Sequence, residues 1–529
     1  MYSSVTTAVL HGLDAVLVKV EADVSAGLPC FEMVGFLAAE VKEAKERVRT
    51  ALKNCGYQLP AKKITISFSP AGIRKSGSGF DLAVAVAILS ALGVVPAKRA
   101  ERMVFLGELN LSGQVVPVPG VLPILVRAGE EGYSTSMVSA GNRREAALVP
   151  GMEHICIGHL EQAVAYLRDQ IMDVSKEETC KNPVRPEGLT GAETIQTGNI
   201  SRVKREEPPD FSEISGQKLL KRACEIAVAG RHNLLMIGPP GAGKTMAAKR
   251  IPTILPPMTD RERLEVSKIY SICGLFDETY GLMGERPFRS PHHTITPRGL
   301  AGGGGNPRPG EISLAHKGVL FLDELTEFKA SALEILRQPM EERQIQIVRS
   351  QGKYTFPADF MLVAAMNPCN CGYYPDMQKC RCSEADIRRY QNRISQPLLD
   401  RMDLCIKINK IPYEELYSRT EEETSAQIRE RVIQAHSRQE DRYRKKSFRY
   451  NSQIPAKEIS LICRLDAKQE KMMRHFYQSL GLSVRTYHKV LKTARTIADL
   501  EGSERILTEH LQEALCYRSI DRSFWEVER

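Results

Sequence analysis

Eight consecutive residues carry the first chemistry legible in this chain of 529 residues. Gly238, Pro239, Pro240, Gly241, Ala242, Gly243, Lys244 and Thr245 satisfy the spacing G-x-x-x-x-G-K-[ST] throughout. Glycines let successive backbone N–H groups approach and cradle phosphate oxygens. Lys244 reaches the outer phosphates, and Thr245 offers a hydroxyl to Mg2+. The apolar run Leu234–Ile237 predicts a strand before the loop, and the alanine-rich stretch predicts a helix after it. That helix N-terminus adds partial positive charge. ATP with Mg2+ is the implied ligand. A second run, GVLFLDEL (Gly318 to Leu325), ends four apolar residues in Asp323 and Glu324. A buried strand would deliver both carboxylates to its C-terminal tip, where open α/β sheets bind ligands. Asp323 is the candidate Mg2+ holder through water, and Glu324 the candidate general base for the attacking water. A third strand, FMLVAAMN, ends at Asn367, whose amide could position that water against the γ-phosphate.

Two further sets of residues carry chemistry. Cys369, Cys371, Cys380 and Cys382 fall within fourteen residues straight after Asn367. Four thiolates complete a tetrahedral zinc site. The C-x-C pairs are tighter than the usual spacing, so four reduced thiols in a loop stand as the alternative. IQIVRSQGKYTFPADF reads as a β-hairpin with a basic tip, Arg349 to Lys353. The stretch Arg286 to Gly318, rich in Gly, Pro, His and Arg, adds Arg298 and Arg308. Arg349, Lys353, Arg298 and Arg308 are the candidate contacts to DNA phosphates. An exposed hairpin without a partner is the plainer reading. A third basic stretch, Arg429 to Arg449, holds eight Lys/Arg against three Asp/Glu. It suits a polyanion or a solvated helix face equally.

The elements that must position these groups form an ordinary globular pattern: 42% hydrophobic, 26% charged, net charge +9. The thirteen cysteines follow a start without a signal peptide, so reduced thiols and a cytoplasmic location are expected. The most apolar stretch, Leu82 to Val95, is shorter than the ~20 residues a membrane span needs. Four regions are expected. Residues 1–170 alternate strand and helix patterns. Residues 171–210 are too polar to bury a core and read as a linker. Residues 211–411 alternate strands and helices around the glycine loop, as a parallel sheet requires. Residues 412–529 read as helices.

Together these parts resemble the AAA+ superfamily. The resemblance implies Asn367 as sensor 1 and Arg401, in ISQPLLDRMDL, as an arginine finger acting on a neighbouring subunit's ATP. It implies Arg485, in GLSVRTYHKVL, as the sensor 2 arginine on a helical lid, with Arg393 a second finger candidate. A finger acting in trans implies a homo-oligomer, a hexameric ring. RSPHHT, GNPRPGEISLAHKGVLFLDEL and NPCNCGYY resemble one family closely, the competence-associated ComM/YifB family of Mg-chelatase-like ATPases. The resemblance spans nearly the whole chain. It implies a DNA helicase driving branch migration of recombination intermediates, alongside recombination proteins.

The N-terminal segments LPAKKITISFSPAGIRKSGSGFDLAVAVAILSALG and FLGELNLSGQVVPVPGVLPILVRA resemble the proteolytic domain of Lon, an S5 domain 2-like fold, and its counterpart in RadA. A Lon-type site needs a serine and a lysine. Gly79 and Leu122 stand at those positions, so a domain without the dyad is expected, with Ser76 and Ser78 nearby. Its role would be ring support or DNA binding, through Lys62, Lys63, Arg74 and Lys75. The expected fold is therefore α/β: a Lon-like domain, a central AAA+ parallel sheet and a helical lid. Three other functions stay open: a chelatase-type ATPase subunit that remodels a partner for metal insertion, an ATP-dependent protease, and a scaffold.

Overall fold

A computed structural model describes residues 1–169, 209–276, 281–349, 352–410 and 422–518. The expected linker lies almost wholly outside these.

The N-terminal region is built on a seven-stranded mixed sheet. Its order is Cys30–Val34, Lys63–Ser69, Asp14–Ser25, Tyr2–His11, Met103–Leu106, Thr135–Ser139, Glu153–Ile157. Tyr2–His11 and Asp14–Ser25 pair antiparallel along their length, while the last three strands run parallel. Helix Ala39–Asn54 buries Val41, Ala44, Val48 and Ala51, the three- and four-residue spacing of one helical face. Helix Asp81–Ala91 is buried at every position, which explains its unbroken apolar run.

The central region holds five strands, all parallel, in the order Phe288–Arg289, Val319–Leu322, Met361–Met366, Leu234–Ile237, Leu404–Lys407. Leu234 and Met236 face one hydrophobic core, and Leu235 and Ile237 the other. A sheet covered on both faces needs apolar residues at consecutive positions, hence the short continuous runs in the sequence. Because the strands are parallel, their C-terminal ends gather along one edge of the sheet.

Helices Ser425–Tyr443, Ala456–Ile462, Ala467–Ser479, Val484–Leu500 and Thr508–Cys516 follow. Asp499, fully buried, ties them together. It accepts from Arg442 Nη1 at 2.8 Å, Arg495 Nη2 at 3.0 Å and Asn451 Nδ2 at 2.8 Å. Four of the eight basic residues in Arg429 to Arg449 are taken up in such contacts, Arg442 among them. Arg431 binds Glu225 and Glu423, Lys446 binds Glu458, and Arg438 donates to the Asp499 carbonyl. Arg429, Arg444, Lys445 and Arg449 stay exposed on the same stretch.

The N-terminal region docks on the central one through helix Val121–Glu130, packed on helix Asp260–Ile272. The buried Glu145 carboxylate joins them, accepting from the Leu122 N–H at 2.9 Å and from Ser271 Oγ.

Candidate nucleotide site

The C-terminal edge of the central sheet gathers the residues expected to handle a nucleotide. The glycine loop follows Ile237, and helix Lys244–Ile254 starts at its end. Gly241 and Gly243 take φ of +75° and +87°, which other residues adopt only under strain. Lys244 Nζ donates to the carbonyls of Gly238 (2.5 Å) and Pro239 (3.0 Å) and to Asn367 Oδ1 (3.1 Å). Burial lowers its pKa to about 8, against the opposing pull of Asp323. Thr245 Oγ1 donates to Asp323 Oδ2 at 2.6 Å. This exposed oxygen pair at a phosphate-binding loop suits Mg2+, a hard cation that takes oxygen ligands. Glu324 sits in a left-handed turn (φ +51°) that carries its carboxylate away from the strand. The side chain is 60% exposed, with Oε2 3.4 Å from His293 Nδ1.

Asn367 leads directly into the cysteine loop. Gly372 there leaves no room for a side chain, since a Cβ would fall 2.6 Å from Pro240 Cδ. The thiols converge: Sγ separations are 3.3 Å for Cys369–Cys371, 3.5 Å for Cys371–Cys380 and 3.8 Å for Cys369–Cys380. All four, Cys382 included, lie within 4.8 Å of one another. A tetrahedron with ~2.3 Å zinc–sulfur bonds has edges of ~3.8 Å, so the set fits that metal.

Arg401 and Arg485 come together elsewhere. Both line a cavity of about 260 Å3, with Arg231, Arg343, Lys489 and Asp403. Asn233, Phe360 and Asp403, also in its wall, immediately precede three central strands. The cavity therefore lies at the N-terminal edge of the sheet. From Asn233 to Gly238 is five residue steps, about 16 Å of extended chain at about 3.3 Å each. Arg401 Nη2 pairs with Glu341 at 2.6 Å, and its buried Nε lacks a partner. Arg393 pairs instead with Glu327 at 3.0 Å.

The basic candidates are exposed. Arg298, Arg308, Arg349 and Lys353 form no ion pair among the described residues. The hairpin pairs Gln344–Arg349 with Gly352–Pro357, and Ser350 and Gln351 lie outside the described residues. Gly303 pairs with Arg308 in a two-stranded ribbon, and Arg349 Nη2 lies 3.5 Å from where a Gly303 Cβ would stand. Tyr354, paired with Ile347 midway along the hairpin, stacks on His11 of the N-terminal region at 4.6 Å. Lys75 corrects the sequence reading: it is wholly buried and donates to the Pro70 carbonyl, out of reach of any phosphate. Lys63 pairs with Glu32 at 3.2 Å. Two contributors escaped the sequence reading. His293 stands in RSPHHT, and Lys489 follows Arg485 by one helical turn.

Comparison with known proteins follows the same three regions. Residues 210–416 match the family model for magnesium chelatase subunit ChlI, 20–142 that for subunit ChlI of Mg-chelatase, and 422–518 that for the ChlI C-terminal region. Competence protein ComM of Haemophilus influenzae is 41% identical over 512 residues, covering 97% of this chain and 96% of its own. The chain belongs to the ComM/YifB family of Mg-chelatase-like AAA+ proteins. YifB of Escherichia coli, itself uncharacterised, is 40% identical over 523 residues, covering 98% of this chain and 97% of its own. Lon protease 2 of Bacillus subtilis matches 209 residues at 25% identity, 35% of this chain and 37% of its own. Gly79 and Leu122, expected from the sequence at the dyad positions, carry neither a nucleophile nor a base. Leu122 is fully buried in the docked helix. Among the described residues, no helix is long and apolar enough to cross a membrane.

Proposed function

We propose that this chain is an ATP-hydrolysing DNA motor, a ring-forming helicase in which each ATP is completed by the next subunit. One observation carries the reading: the glycine loop and the Arg401–Arg485 cavity sit at opposite edges of one sheet. Neither arginine serves its own loop across that depth. In a head-to-tail ring, one subunit's cavity faces its neighbour's loop. A hexamer is the expected closure.

Lys244 exchanges its loop carbonyls for the β- and γ-phosphate oxygens. Thr245 and Asp323 hold Mg2+, which neutralises phosphate charge when bound. Glu324 accepts the proton of the attacking water, which Asn367 orients. Arg401 and Arg485 from the adjoining copy stabilise charge on the transferring phosphoryl group. The exposed Arg298, Arg308, Arg349 and Lys353 would grip a DNA backbone and shift with each cycle. The relative named for competence supports a role in natural transformation; branch migration of recombination intermediates, there or in repair and alongside recombination proteins, is the activity proposed. The domains are read as 1–170, 211–411 and 412–529, joined by the linker 171–210. A chelatase-type subunit acting on a protein partner is the second reading, favoured by the ChlI family models.

We also assign zinc to Cys369, Cys371, Cys380 and Cys382. It would stiffen the loop that joins Asn367 to the segment bearing Arg401. Thiol-reagent treatment with a zinc-sensitive dye should release one zinc per chain; release well below one rejects the assignment.

ATP turnover, alone and with single-stranded, duplex and four-way-junction DNA, tests the motor, with Lys244→Ala as blank. Stimulation strongest on junctions supports it. Turnover indifferent to every DNA transfers support to the chelatase-type reading.

A further inference from the structure

We infer that Cys55, His159 and Glu161 form a zinc site in the N-terminal region, separate from the four-cysteine loop and independent of the DNA reading. Three elements meet there: the end of helix Ala39–Asn54, capped by Cys55; the turn from Asn110 to Gln114; and the start of helix Leu160–Leu167, capped by His159. The turn is fixed by its own hydrogen bonds. Asn110 Oδ1 accepts from the N–H groups of Ser112 (3.1 Å) and Gln114 (2.8 Å). Both helix ends are tied to it: Asn54 Nδ2 donates to the Leu111 carbonyl at 2.7 Å, and the Leu160 N–H to the Gly113 carbonyl at 2.8 Å. Gly113 has φ of +92°, and a Cβ on it would overlap Cys55 Sγ and fall 3.1 Å from His159 Nε2. The bare backbone there lets thiol and imidazole close on one point.

Cys55 Sγ, a His159 ring nitrogen and a Glu161 carboxylate oxygen all lie within 4.8 Å of one another. His159 Nε2 stands 3.0 Å from the Ser112 carbonyl. A carbonyl only accepts, so Nε2 carries the proton and Nδ1 keeps its lone pair. A metal-bound histidine commonly donates its other ring N–H to a backbone carbonyl in this way. Nδ1 faces Glu161 Oε2 at 3.7 Å, while the Glu161 N–H reaches it at 3.4 Å, a long and weak contact. A lone pair and a carboxylate this close repel unless a proton or a metal ion stands between them. The thiol beside them favours the metal. One sulfur, one nitrogen and one oxygen suit zinc, whereas Mg2+ and Ca2+ keep to oxygen. Zinc bonds of about 2.0–2.3 Å give tetrahedral edges of about 3.3–3.8 Å, so the side chains must close by about 1 Å. The Glu161 side chain, 59% exposed, has room to turn inward. Water takes the fourth position, and the ion pins two helix ends to one turn.

The test uses the full chain and zinc alone, without nucleotide or DNA. Alkylation of Cys55 is followed by peptide mass spectrometry, with half-buried Cys30 as the internal reference. Zinc should slow labelling of Cys55 by about tenfold or more, since a metal-bound thiolate is withdrawn from attack. Cys30 should be unaffected, and Mg2+ should protect neither. His159→Asn keeps a helix-capping side chain without the imidazole, and Glu161→Gln keeps the size without the charge. Each should lose most of the protection at Cys55, while Cys369, Cys371, Cys380 and Cys382 respond to zinc as in the wild type. Thermal melts without zinc check that the variants fold. Equilibrium dialysis should count one zinc fewer per chain in Cys55→Ser than in the wild type. Labelling of Cys55 that ignores zinc overturns the inference and leaves a protonated His159 paired with Glu161. Protection that persists in both variants overturns it too, since zinc would then act from elsewhere.

Discussion

Replacing Arg401 with alanine separates action on a neighbour's ATP from action within one subunit. The cavity holding Arg401 lies about 16 Å from the glycine loop of its own sheet. A unit charge at that distance interacts with another by only about 0.3 kcal/mol in water, or about 1 kcal/mol at an effective dielectric of 20. Through its own subunit, Arg401 therefore affects turnover by no more than about fivefold. In contact with a neighbour's γ-phosphate it contributes what arginine fingers contribute, about 10³–10⁵ in kcat. Arg401→Ala should thus abolish measurable turnover while ATP still binds. Loss of its pair with Glu341 should cost little stability, because Glu341 is 56% exposed. Mixing gives the decisive assay. Glu324→Gln keeps the finger and lacks the base; Arg401→Ala keeps the base and lacks the finger. Each is inactive alone, and mixed rings should recover activity wherever a Glu324→Gln subunit faces an Arg401→Ala site. A loss of tenfold or less, or a mixture no more active than its parts, would refute the trans assignment.

Lys244 gives a pH test. Burial lowers its pKa to about 8 in the free protein, and bound phosphates would restore the ordinary range near 10.5. Between those values the free lysine is neutral and the bound one charged, so ATP binding should take up a proton. Affinity should fall as pH rises through 8. Calorimetry in two buffers of different ionisation heat reads the uptake, and none at pH 9 would contradict it. Arg349→Ala with Lys353→Ala should weaken DNA binding across sequences. The slope of log affinity against log salt should shrink by about 1.4 on single strands and about 1.8 on duplex; an unchanged slope would remove both from the interface. Asp499→Ala leaves Arg495, 3% exposed, without its buried carboxylate. Arg495 keeps two backbone carbonyls, so the cost should be near about 3 kcal/mol. Chemical denaturation reads it, and a change under 1 kcal/mol would show that Asp499 is not the tie of these helices.

The nucleotide chemistry was written in the sequence because it depends on short-range spacing. A loop that must wrap a phosphate needs its glycines and its Lys244–Thr245 pair in fixed order. A strand buried on both faces reads as an unbroken apolar run ending where its polar residues begin. Asp323, Glu324 and Asn367 were therefore legible one strand at a time. The crowding of four cysteines was legible too, though only folding brings Cys382 beside Cys369.

What tertiary structure alone decided is which end of the sheet each residue occupies. Arg401 and Arg485 stand eighty-four positions apart in sequence, and nothing local shows that they share a cavity. Lys75 looked like any surface lysine until folding buried it. Three of the eight basic residues in Arg429 to Arg449 proved to be paired with carboxylates, and Arg438 with a backbone carbonyl. His293 meets Glu324 because a parallel strand order sets Phe288–Arg289 beside Val319–Leu322. Spacing along the chain encodes local chemistry; charge partners and burial are properties of the packed chain, where residues far apart in sequence meet.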